Sequence, residues 1–186
     1  MDTDKKEAET SEKDADVLLV ATKGNAALIR VRGRGSFKAG PALKRFGTSA
    51  MGNGCRQFIL DMGECTAMDS TFMGVLAGMA MRLKSEGGSV IMMNLTPKTL
   101  TLLETLGLDR LLETYQAGCA NDELTKRLGD ALGMSVLDAS VADRKVTLET
   151  MLAAHEDLVT ALPDNLPKFK NVLAYLSADL KQFEGG

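Results

Sequence analysis

Tryptophan is absent from this chain and aromatic residues make up only 4% of it. Platforms on which successive bases could stack are therefore missing. Charge of one sign does not accumulate either. The 22 Lys and Arg residues are interleaved with 25 Asp and Glu residues, for a formal net charge of −3, so no nucleic-acid groove is expected. The nearest basic cluster, Arg30-Val31-Arg32-Gly33-Arg34, reads as a solvated strand edge. No apolar run approaches the ~20 residues needed to span a bilayer, so no membrane partner is expected. The opening residues, MDTDKKEAETSEKDAD, are acidic and highly charged, unlike the basic-then-apolar pattern of a secretory signal. Cysteines number three (Cys55, Cys65 and Cys119) and lack metal-ligand spacing, which points to reduced thiols, no metal site and a cytoplasmic compartment.

What remains is the composition of one globular domain with an appended element: 186 residues, 45% hydrophobic and 25% charged. Residues 1–15 are expected to be a disordered acidic tail, since nothing in them offsets the cost of ordering. VLLVAT (17–22) and AALIRVR (26–32) read as two strands. Gly24-Asn25 is a two-residue hairpin signal, and a loop that includes Lys23 fits equally well. Pro41 is placed to open a short helix through about Phe46 or Ala50. RQFILDM (56–62) follows as a strand, with Phe58 and Leu60 facing one way and Ile59 the other.

From Thr71 onward Val75, Leu76, Met79 and Leu83 recur at helical spacing. Gly74 and Gly78 share one face of this helix and are expected to let its backbone approach a sheet. Each glycine costs a helix interior about 0.8–1 kcal/mol against alanine, so the pair needs a packing reason. SVIMMNL (89–95) is a strand apolar on both faces. Thr96-Pro97 opens another helix that exits at Gly107. The plan is α/β: a mixed β-sheet packed with helices.

AMDSTFMG, residues 67–74, carries the chemistry. Asp69 or Ser70 at the N-cap would accept a hydrogen bond from the helix backbone, worth about 1 kcal/mol. Capping needs one such residue and the chain supplies three in a row. A helix N-terminus also holds an added phosphate, through its free N–H groups and positive dipole end. A phosphate of charge near −2 about 5 Å from Asp69 would be repelled by about 2 kcal/mol in a water-like dielectric, or about 6–7 kcal/mol at an effective constant of 20. The two readings, cap and acceptor, are compatible. Met68 and Met73 flank the hydroxyls, and their thioethers suit either adaptable contacts or the core.

No enzyme is expected. A hydroxyl nucleophile needs a base in reach, and the single histidine, His155, lies far along the chain. The Gly-x-Ser-x-Gly elbow is absent around Ser70, as is a Gly-rich Walker loop. No catalytic residue, metal ligand or cofactor is assigned.

The order of elements, with MDSTFMGVLAGM between strand and helix, resembles the STAS domain (sulfate transporter and anti-sigma factor antagonist). Members carry Asp-Ser-[Ser/Thr]-Gly-Leu-Gly-Val-Leu. Asp69, Ser70, Thr71, Gly74, Val75 and Leu76 match it, while Phe72 and Met73 replace the usual Gly and Leu. LLETLGLDRLLETY is similar to the family's closing helix, Gly-Leu step and last strand. The resemblance implies a STAS domain over residues 16–116. It implies a non-enzymatic switch of the anti-sigma factor antagonist type, a phosphoprotein of bacterial transcription regulation. The partner would be an anti-sigma factor of the histidine-kinase-like type, phosphorylating Thr71, with Ser70 as the alternative hydroxyl. The partner-binding surface would comprise Ser36, Phe37, Met68, Asp69, Ser70 and Met73. The other implied role is a scaffold or adaptor subunit in a sensory or lipid-transport assembly, without a phosphate cycle. Gly33-Arg34-Gly35-Ser36 stands where many members have an acidic turn that contributes to phosphorylation.

Beyond the resemblance, residues 117–140 read as a linker with a possible short helix around 122–132. Residues 141–186 read as a helical hairpin: Leu148, Leu152, His155, Val159 and Leu162 line one helix, and Leu166, Phe169, Leu173, Leu176, Leu180 and Phe183 the next. PDNLP breaks between them, with Asp164 or Asn165 as cap. Two helices seldom offset the entropy of ordering some forty residues. The hairpin should therefore dock on the sheet domain or pair with a second copy as a homodimeric four-helix bundle. His155 in the seam is expected to be a packed, hydrogen-bonded residue, with a pH-sensitive interface as the other reading.

Overall fold

The computed structural model describes residues 16–119, 122–129, 133–140 and 142–184. The acidic residues 1–15, and 130–132 at the end of the expected short helix, lie outside them. β1 (Val17–Lys23) and β2 (Ala26–Gly35) form an antiparallel hairpin whose turn uses Gly24 at φ +59°. α1 (Gly40–Gly52) begins with Pro41 in its first turn. β3 (Gln57–Met68), α2 (Ser70–Ser85), β4 (Ser89–Leu95), α3 (Pro97–Thr105) and β5 (Glu113–Gln116) then alternate. The sheet runs β5-β4-β3-β2-β1 and continues to β6 (Ser135–Val136), which pairs antiparallel with β1. From β2 to β5 neighbouring strands are parallel. Successive right-handed crossovers in one direction place α1, α2 and α3 on the same face.

That face holds the main core, where Phe58, Leu60, Leu43, Phe72, Leu76, Met92 and Leu103 are packed together. Ile59 points to the opposite face with Leu28, Ile91 and Met93. There α4 (Asp122–Gly129) covers the sheet through Leu124. β3 is longer than the apolar run in its sequence. Its extension pairs with the end of β2 across two register shifts, and Arg32 meets Glu64 across the pair at 3.1 Å. Arg30 meets Asp61 one pair earlier at 2.9 Å. Burial pushes the Asp61 carboxyl up, but hydrogen bonds from Asn94, the Gly63 N–H and Arg30 outweigh it and hold the group below its ordinary value. Asn94 is the one non-glycine with positive φ, +61°, among the described residues, and its Nδ2 donates to Asp61 Oδ1 at 2.8 Å.

The C-terminal hairpin is formed by α5 (Arg144–Ala161) and α6 (Leu166–Glu184). Asp143 caps α5 through the Val146 N–H. Thr150, Ala154 and Asp157 of α5 approach the Thr71–Gly40 contact, Gly74 and Gly78 in turn, so α5 lies along α2 and runs in the same direction. The hairpin thus docks on the sheet domain through α5. The glycine pair's close approach is to α5 and not to the sheet: a Cβ on Gly74 would overlap the Ala154 carbonyl, and one on Gly78 the Asp157 carboxylate. Arg144 ties α5 to Asp179 of α6 at 3.1 Å. Within the α6 stripe Leu176 is 1% exposed, whereas Leu166 and Phe183 at its ends stand out at 49% and 42%. Asn165, fully buried in the turn, donates through Nδ2 to the carbonyls of Leu106 and Leu158 at 3.0 and 2.9 Å.

Candidate functional site at the N-terminus of α2

Asp69 is the N-cap of α2: its backbone is extended and Oδ1 accepts from the Phe72 N–H at 2.8 Å. Its second oxygen accepts from the Phe37 N–H at 2.7 Å, and its own N–H donates to the Gly35 carbonyl at 3.0 Å. One side chain therefore fastens the β2–α1 loop to the start of the motif helix. Gly35 is required at this junction, because a Cβ there would sit 2.6 Å from the Phe72 ring. Ser36, Phe37, Met68 and Asp69 come together around a shallow depression of about 240 Å³, joined by Arg34 and Lys38. Phe37 is 40% exposed at its rim.

Ser70 and Thr71 point elsewhere. Ser70 Oγ lies 3.0 Å from His155 Nε2 of α5. His155 Nδ1 is 2.7 Å from the Met151 carbonyl. A carbonyl can only accept, so Nδ1 carries a proton; in the neutral ring Nε2 is then the acceptor, and the Ser70 hydroxyl donates to it. The imidazole edge packs on Phe169 of α6, with ring centroids 5.1 Å apart. Thr71 is 3% exposed; its methyl lies beside Gly40, where the Thr150 methyl also converges. Met73, expected on the partner surface, is instead in the core at 3% exposure. Helical phase turns positions 72, 73 and 76 inward once Asp69 fixes the first turn.

Sequence reasoning placed the only imidazole out of reach of the hydroxyls, and the structure places it in contact with one. A Ser–His pair of this geometry is one part of a nucleophilic site. At the other part, where donors would meet a developing oxyanion, the Asp69 carboxylate occupies the helix N-terminus, takes the Phe72 N–H and would repel that charge. Among the described residues no cluster of three His, Cys, Asp or Glu could hold a metal ion, and no helix is long and apolar enough to cross a membrane.

A second feature of the α2–α5 contact is Asp157. Burial pushes its carboxyl above the ordinary value; Lys44 opposes the shift and Glu156 adds to it. A carboxylate whose folded value is raised destabilises the native state above that value, and the penalty lifts as pH falls through it. An Asp157→Asn chain is therefore expected to be more stable than the parent at pH 7. The difference should shrink toward pH 4, as followed by denaturant unfolding at both pH values. A constant difference would place the carboxylate in water.

The profile of the family described as "Mlab, STAS domain" matches residues 18–113. This chain belongs to the STAS domain family. No curated protein matches it. Among solved structures it is similar to an anti-sigma factor antagonist from Mycobacterium paratuberculosis, at 20% identity and a TM-score of 0.50, covering 63% of this chain and 97% of that one. It is also similar to TM1081 of Thermotoga maritima, assigned as an anti-sigma factor antagonist, at 15% identity and a TM-score of 0.50, covering 59% and 92%. Both likenesses concern the fold, and neither spans the whole chain.

Proposed function

We propose that this protein is a non-enzymatic STAS switch of the anti-sigma factor antagonist kind. It binds an anti-sigma factor of the histidine-kinase-like type through the rim formed by Ser36, Phe37, Met68 and Asp69, and a phosphate on Thr71 ends the complex. The observation that carries this reading is the double use of Asp69, whose carboxylate accepts from Phe37 on the loop and from Phe72 on the helix. Acceptor end and exposed rim are one mechanical unit, so charge added beside Asp69 is felt at Phe37. Ser70, half-buried and one residue nearer the rim, is the alternative acceptor.

The test combines the chain with a histidine-kinase-like anti-sigma factor and ATP. Peptide mass spectrometry is expected to find phosphate on Thr71. Thr71→Glu should weaken the complex at least tenfold, about 1.4 kcal/mol, while Thr71→Ala should keep it. Phe37→Glu should weaken it without altering the fold. Unchanged binding by the Phe37 variant would misplace the surface.

The burial of Thr71 beneath α5, and Arg34 where an acidic turn would help phosphorylation, favour a second reading. In it the same rim serves a scaffold or adaptor in a sensory or lipid-transport assembly, with no phosphate cycle. A chain that binds a partner through Phe37 and is never phosphorylated would decide for it.

A further inference from the structure

We infer that the C-terminal hairpin is a lock on the motif helix: α5 occupies the face of α2 that carries Ser70 and Thr71, and those hydroxyls meet a partner or a phosphate donor only after α5 lifts off. The inference rests on the reading of that helix end as the partner-facing one.

α2 has two unlike faces. Toward the sheet it presents Phe72, Leu76 and Leu83, none of them exposed. Toward α5 it presents Ser70, Thr71, Gly74 and Gly78. Permanent burial rewards large apolar side chains, and this second face has given them up for small and hydroxylated ones. The opposing surface of α5 is matched in kind, with Thr150, Ala154 and Asp157.

Beside this close approach the contact is incompletely filled. A cavity of about 160 Å³ lies between α1, α2 and α5, and its lining includes Lys44, Arg82 and the Asp157 carboxylate. A half-buried carboxylate and a void stand there, with the exposed Lys44 and Arg82 at the rim, where a core would have packed side chains. Lifting α5 returns the half-buried Asp157 carboxylate to water, at the cost of uncovering Ala154 and Leu158, which pack into the main core. The strongest polar ties between hairpin and sheet domain lie at the far end. Asn165 holds the Leu106 carbonyl, and Lys168 Nζ donates to the Thr105 carbonyl at 2.9 Å. They sit ten and thirteen residues beyond His155 in the chain and form the hinge. Near the hydroxyls, the one side-chain tie among the described residues is the Ser70–His155 hydrogen bond, and it is the latch.

Thiol labelling of the full chain tests the lock without any partner. In a Thr71→Cys chain treated with a maleimide, the native Cys119, which is exposed, and Cys55, which is buried, serve as internal references. The thiol at position 71 is expected to react at least 100-fold more slowly than Cys119. Adding Ala154→Glu, or Gly74→Ala from the other helix, should speed it at least tenfold while Cys55 stays protected. Equal reactivity of position 71 and Cys119 in the undisturbed chain overturns the lock. So does release of Cys55 together with position 71 in both opened chains, because the hairpin is then part of one cooperative core. A parallel incubation of the Ala154→Glu chain, with Thr71 intact, uses ATP and a histidine-kinase-like anti-sigma factor. Faster phosphorylation than in the parent supports both lock and switch. Equal rates in the two chains overturn the lock and keep the switch. Labelling that behaves as expected, with no phosphate in either chain, keeps the lock and overturns the switch.

Discussion

An Asn165→Leu chain is expected to lose about 2–4 kcal/mol of stability and to expose its C-terminal hairpin to protease before the sheet domain. Asn165 is fully buried and bridges two carbonyls, of Leu106 in the sheet domain and Leu158 in α5. Leucine keeps the volume and supplies no donor. The Leu158 carbonyl retains the Leu162 N–H, so its loss is one ordinary hydrogen bond, about 1 kcal/mol. The Leu106 carbonyl loses the side-chain donor that reaches it, and a buried acceptor left bare costs about 1–3 kcal/mol. In a chain of this size that corresponds to a fall of about 5–15 °C in the melting temperature. Limited proteolysis should cut within residues 144–184 first. If the variant melts with the parent and is cut no sooner, the turn is not the anchor.

Two glycine substitutions should behave oppositely for a reason visible only in three dimensions. Alanine gains about 1 kcal/mol over glycine in a helix interior. At Gly47 in α1 the added methyl would meet the Met79 Sδ and Cε at about 2.9–3.0 Å. This is the far end of a flexible side chain, which can turn away. Gly47→Ala is therefore expected to stay within about 1 kcal/mol of the parent. At Gly74 the methyl would fall on the backbone carbonyl of Ala154, which moves only if α5 moves as a body. Gly74→Ala is expected to cost about 2–3 kcal/mol in spite of its helix gain, as overpacking does. Hydrogen exchange should show the loss concentrated in residues 144–161. Equal effects at the two positions would mean that α5 does not rest on α2.

The same pair marks the boundary of what periodicity can convey. Spacing places Gly74 and Gly78 on one helix face, but a spacing has no knowledge of which neighbour fills that face. The sheet was the expected neighbour and α5 is the observed one. Likewise, the apolar stripe through His155 places it in a helical seam, whereas its contact with Ser70, eighty-five residues away, depends on where the hairpin docks. Met73 belongs to the same group, since its neighbours in sequence suit a surface and a core equally well. β6 left little trace, because Ser135–Val136 is too short to alternate, and nothing local tells that the short helix expected around 122–132 covers the rear face through Leu124.

By itself the sequence determined the elements of the sheet domain and their order. Alternation in 17–32 and 56–62, the continuous apolar run 89–95, and the cap residues Asp69 and Thr96 are local signals, read by the backbone within a few residues of where they stand. It also determined the capped end of α2, because capping chemistry is local. Only the tertiary structure decided what covers that end. Which face of α2 meets α5, whether Thr71 is open or buried, and which imidazole reaches Ser70 all depend on contacts between segments some eighty residues apart. Such contacts are set by the fit of whole surfaces, the small residues of α2 against those of α5, and no window of sequence contains both.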